Sequence, residues 1–117
     1  MSPNSMDELA DAGILSLTTT VARLDEANRL AQALLEQRLA ACVQVEEGLQ
    51  SHYRWQGQAC SESEVRLTVK TLPARLPALQ AFFAEHHPYE LPQLLWQVMQ
   101  ASPAYADWVR QEVGSPP

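Results

Sequence analysis

Basic residues are scarce in this chain. It has a single lysine, Lys70, no run of arginines, and a net charge of −6. A nucleic-acid-binding surface needs a basic face to neutralise phosphates, so the composition argues against that class of partner. An acidic surface instead keeps the protein soluble and weakly concentrates cations. Cysteine is also sparse, with only Cys42 and Cys60, and neither a C-x-x-C motif nor a zinc-type Cys/His cluster occurs. Cys42 lies in the apolar run Leu39-Ala40-Ala41-Cys42-Val43, where a small cysteine is expected in the core. Two free thiols in a reducing compartment fit better than one bridge. Residues 1–13 are acidic and polar, with no positive n-region or apolar h-region, so no secretory signal is expected. No apolar run approaches the length of a membrane span. The sequence therefore reads as a cytoplasmic protein with neither nucleic acid nor membrane as a partner.

What is present suits one folded domain. The 117 residues are 46% hydrophobic and 19% charged, enough to bury a core without staples. Residues 1–12 read as a disordered lead-in, 13–113 as the domain and 114–117 as a tail. Ile14, Leu15 and Leu17 followed by three threonines predict a first, mostly buried strand. Ala27, Leu30, Ala31, Leu34 and Leu35 form a helical stripe, with Asp25 and Glu26 suited to its positive end. Cys42 to Trp55 reads as a long strand broken near Gly48, and Gln56-Gly57-Gln58 as a hairpin turn. In the return strand Val65, Leu67 and Val69 alternate with Glu64, Arg66, Thr68 and Lys70, giving one buried and one polar face. Leu76, Leu79, Phe82, Phe83 and His86 fall at helical spacing, with Pro73 and Pro77 near the start. Leu94 to Met99 reads as a fourth strand. Ser102-Pro103 is an N-cap and first helical residue for a last helix through Tyr105, Trp108, Val109 and Glu112, ended by Gly114.

The order β-α-β-β-α-β with an added C-terminal helix predicts an α+β fold, a ferredoxin-like sandwich with an antiparallel sheet. That fold hosts many functions and names none. Two helices on one face leave the other uncovered, yet the strands carry Tyr53, Trp55 and Trp96, which favour burial. A long hairpin also leaves unpaired edges. Both features predict a homo-oligomer.

The segment His86-His87-Pro88-Tyr89-Glu90-Leu91-Pro92 gathers two imidazoles and a carboxylate, all possible metal ligands. Adjacent residues on a helix point roughly 100° apart, so two such histidines could not share an ion there. Pro88 pushes His87 out of the α region. His86 can then end a helix while His87 begins an extended segment, which allows the rings to converge. The plainer reading is a helix stop whose histidines meet the negative end of the dipole.

Several motifs together resemble the CutA divalent-cation tolerance proteins. They are Leu39-Ala40-Ala41-Cys42-Val43, Ser51-His52-Tyr53-Arg54-Trp55-Gln56-Gly57, Glu64, Lys70-Thr71, His87-Pro88-Tyr89-Glu90-Leu91-Pro92, and Tyr105 with Trp108. The match runs from about Leu15 to Glu112. The resemblance implies a compact homotrimer with sheets paired between subunits, and a link to tolerance of copper and other divalent cations. It also implies a metal site at His86 and His87, with Cu(II) or another divalent cation as the bound species; Glu90, or Glu64 from a neighbouring strand or subunit, is a candidate third ligand. The cysteine that completes this site in some members is Thr19 here, a poor ligand for copper. Where members often carry a second glutamate, this chain has Gln93.

Tyr53, Trp55, Glu64, Lys70 and Tyr89 are the candidate lining of an inter-subunit cleft. For the aromatic residues, interface packing competes with ligand stacking. For Lys70, an ion pair with Glu64 or Glu90 competes with holding an anionic ligand, and Glu90 could equally pair with Arg54. Cys60, near Ser61-Glu62-Ser63, is expected to be the more exposed thiol. An acylphosphatase-like enzyme on this fold would cradle phosphate in a Gly-rich loop after the first strand, but Thr18 to Arg23 contains no glycine. No nucleophile–base pair is visible, so no enzymatic activity is expected. The alternative function is a trimeric signalling module, similar in architecture to the PII proteins, with a small ligand in its clefts.

Overall fold

The computed structural model describes residues 13–114; the lead-in expected over 1–12 and the last three residues of the expected tail lie outside it. The chain runs β1 (Ile14–Val21), α1 (Leu24–Glu36), β2 (Cys42–Trp55), β3 (Gln58–Thr71), a short 3-10 turn (Pro73–Arg75), α2 (Leu76–His86), β4 (Leu95–Met99) and α3 (Pro103–Val113). The strands form one antiparallel sheet in the order β2-β3-β1-β4. This is the ferredoxin-like arrangement expected from the element order.

β1 is flanked by β3 and β4, and all its side chains but Thr18 are buried. Leu17 sits opposite Val69 of β3, and Leu15 and Val21 point the same way. With Val65 and Leu67 they pack beneath Leu30 and Leu34 of α1 and Leu79, Phe82 and Phe83 of α2. Ile14 points to the opposite face, where Ala106, Val109 and Val113 of α3 close over it. The added helix therefore covers only the start of the second face. Ser102 caps α3 by accepting from the Tyr105 N–H at 3.3 Å, with Pro103 in the first turn. At its other end, Arg75 of the 3-10 turn donates to the carbonyls of Val113, at 2.6 Å, and Gly114. That guanidinium ties the last turn of α3 to the body.

The hairpin positions the site. Gln56 and Gly57 both take positive φ, +50° and +80°, as a two-residue turn with the right twist requires. The break near Gly48 is a register shift between Glu46 and Leu49, with Gly48 at φ +82°. β1 pairs with β3 only over Val65–Thr71. Beyond that point, Leu49–Trp55 and Gln58–Glu64 pair only with each other and project as a two-stranded arm. The resulting particle is 54 Å along its longest axis. An isolated two-stranded ribbon is marginal in water. β4 is equally uncovered: Leu95 is 60%, Trp96 46% and Val98 51% exposed.

Candidate functional site

α2 stops where Pro88 requires it. His86 is the last helical residue, and His87 caps it with extended backbone, φ −70° and ψ 132°, as a residue before proline should. The two rings then take different surroundings. His86 lies against Phe82, ring centroids 4.7 Å apart, is exposed, and has Nε2 3.7 Å from the Glu85 carboxylate. It also edges a groove between α1 and α2 lined by Glu26, Arg29 and Phe82.

His87 is half-buried between Phe83 and Tyr89. Its Nδ1 accepts from the Tyr89 backbone N–H at 3.1 Å, and its Nε2 lies 2.9 Å from Thr19 Oγ1. An Nδ1 that accepts carries no proton, so the proton sits on Nε2 and is donated to Thr19. Burial pushes the His87 pKa below its ordinary value, against smaller upward pulls from the Thr20 backbone and the Glu26 and Glu64 carboxylates. Both ring nitrogens are therefore committed to the fold. Thr19, at the position of the expected cysteine ligand, is fully buried and serves as the hydrogen-bond partner of His87. Glu90 is exposed on the loop that follows. Among the described residues no group of three or more His, Cys, Asp or Glu side chains could hold a metal ion. His86, His87 and Glu90 thus do not form a three-ligand set within one chain.

The same loop faces the hairpin arm across an open cleft of about 760 Å³. Tyr89 donates its hydroxyl to Glu64 Oε2 at 2.7 Å, and Tyr53 donates to Glu62 Oε1 at 2.5 Å. Burial opposes ionisation of Glu64, but hydrogen bonds from Ser51, Tyr89 and Thr20 outweigh it and hold the carboxyl below its usual range. The Tyr53 hydroxyl is pushed up to about 12 by its bond to Glu62, and burial raises Tyr89 further, with Glu64 adding to the effect. Both phenols are protonated donors at neutral pH.

Of the five residues expected to line an inter-subunit cleft, Tyr53, Trp55, Glu64 and Tyr89 lie together around this cleft within one chain, and Glu90 joins them. Lys70 does not. It sits at the other end of β3, opposite Ser16 and Cys42, and donates to Gln44 Oε1 at 3.2 Å rather than to Glu64 or Glu90. Arg54 likewise pairs with the Gly57 carbonyl and not with Glu90. Cys42 is half-buried rather than core, because its register with Lys70 turns it to the face away from α1 and α2. Cys60 is no more exposed in class than Cys42, and it lines the cleft. Glu62 escaped the sequence reading, although its spacing with Cys60 and Glu64 places all three on one face of β3.

The family profile described as CutA1 divalent ion tolerance protein matches residues 15–112. The divalent-cation tolerance protein CutA of Thermus thermophilus is 38% identical over 96 residues, which is 81% of this chain and 93% of that one. The mouse Protein CutA is 40% identical over 86 residues, 73% of this chain but 49% of that one, so this chain spans about half the mouse protein's length. Among solved structures, CutA from Synechococcus elongatus superposes with a TM-score of 0.84 at 42% identity, covering 88% of this chain and 92% of that one. The same cyanobacterial protein complexed with a Bis-Tris molecule matches with a TM-score of 0.79 at 41% identity, covering 86% and 94%. The chain belongs to the CutA1 divalent ion tolerance family.

Proposed function

We propose that this protein contributes to tolerance of divalent cations as a cytoplasmic homotrimer that holds Cu(II) or Zn(II) weakly at the end of α2. The observation that carries the reading is His86, an exposed imidazole beside the Glu85 carboxylate on the rim of a groove that also contains Glu26. Imidazole suits both metals, and a tight site needs three or four ligands. His87 joins only by giving up the Tyr89 N–H or the Thr19 hydroxyl, a cost that keeps the affinity low. Glu90, exposed on the following loop, completes the candidate set. The exposed β4 edge and the projecting arm support assembly, and the free thiols of Cys42 and Cys60 support a reducing compartment. Calorimetric titration with Cu(II) and Zn(II) tests the site. Weak binding that is lost in His86→Ala and in a His86→Ala/His87→Ala double variant is expected; undiminished binding in both rejects it.

A second reading is a ligand-sensing trimer. It draws on the open cleft at the hairpin and on the Synechococcus elongatus relative that was solved with a Bis-Tris molecule. Neither reading involves catalysis.

A further inference from the structure

The cleft between the hairpin arm and the loop after α2 combines two kinds of side chain. It brings together three aromatic rings, Tyr53, Trp55 and Tyr89, and three carboxylates, Glu62, Glu64 and Glu90. A single guanidinium, Arg54, shares the lining, and the Gly57 carbonyl accepts from it. Tyr53 anchors one oxygen of Glu62 and Tyr89 one oxygen of Glu64, where Ser51 and Thr20 also hydrogen-bond, so both carboxylates are held in place at the cleft. Within one chain Tyr53 and Trp55 are 39% and 40% exposed on the cleft lining.

We propose that this cleft binds an organic ammonium ion, with the aromatic faces meeting its alkyl groups and the carboxylates supplying the counter-charge. The inference rests on the second reading above, that the cleft is a ligand site. Its volume of about 760 Å³ lies within the range of small-molecule sites. A bare divalent cation fits this lining poorly, because it needs converging inner-sphere ligands. Among the described residues no three carboxylate, imidazole or thiol groups converge closely enough to supply them. A diffuse ammonium charge interacts with the field of the carboxylates and with aromatic faces without breaking the phenol–carboxylate bonds.

Choline, titrated by calorimetry into the protein in its native assembly, tests this directly. Its neutral isostere, with carbon in place of the quaternary nitrogen, is the control. Choline is expected to bind at least about tenfold more tightly than the isostere. Glu64→Gln should weaken choline roughly tenfold. Trp55→Ala should weaken it about two- to fivefold, while Trp55→Phe retains it. Equal binding of choline and isostere overturns the ammonium assignment but keeps the cleft as a ligand site. Binding of neither overturns both.

Discussion

The two adjacent histidines should differ sharply in what they contribute to stability. Replacing His87 with alanine leaves Thr19 Oγ1, in a fully buried side chain, without its 2.9 Å partner. It also frees the Tyr89 N–H and removes a ring packed between Phe83 and Tyr89. An unsatisfied buried hydroxyl alone costs about 1–3 kcal/mol. A loss of about 2 kcal/mol lowers Tm by on the order of 10 °C for a domain of this size. His86→Ala removes only an exposed ring leaning on Phe82 and should stay within about 0.5 kcal/mol. Thr19→Val combined with His87→Ala should cost less than the sum of the two, with a coupling of about 1 kcal/mol. Urea denaturation of the four variants at one protein concentration supplies the comparison. Equal losses for His86→Ala and His87→Ala would refute the assignment of His87 to the fold.

Three other outcomes follow from the same contacts. His87 has a depressed folded pKa, so the unfolded chain binds its proton first; stability should be full above the ordinary histidine value of 6.5 and fall as pH drops through it toward the folded value, and a His87→Gln variant should lose that slope in a series of Tm measurements. Gly57→Ala meets no atom within 4 Å yet must hold φ +80°, so it should cost about 1–2 kcal/mol through backbone strain alone, read by chemical denaturation. Arg75→Met removes the donors to Val113 and Gly114 and should speed amide hydrogen exchange in the last turn of α3 while leaving that of β1 and β3 unchanged.

Much of the fold was legible because short-range pattern and long-range packing agree in it. The alternation of Val65, Leu67 and Val69 is the burial pattern of β3, and the helical stripes of α1 and α2 face the same core. Gly48 and Gly57 mark the bulge and the turn because both require positive φ. The backbone switch at His86 and His87 was legible too, since Pro88 dictates it locally. The direction of the rings was not, because Thr19 and Phe82, from different elements, decide it. Lys70 shows the same limit. Its place on the polar face of β3 is a matter of period, but its choice of Gln44 over Glu64 depends on the strand register with β2. The cleft was half legible: Tyr53, Trp55, Glu64 and Tyr89 were named, while Glu62 needed the alternation of β3 to be followed two residues further out along the arm.

Assembly is the central claim, because it accounts for the uncovered β4 edge and the projecting arm. Within one chain β4 and the hairpin arm leave strand edges and apolar side chains uncovered, which favours burial against other surface. Sedimentation equilibrium at micromolar protein tests this most directly. Three times the 13.0 kDa chain mass is the predicted result. A particle of 13.0 kDa, folded and monomeric with Leu95, Trp96 and Val98 open to water, would contradict it.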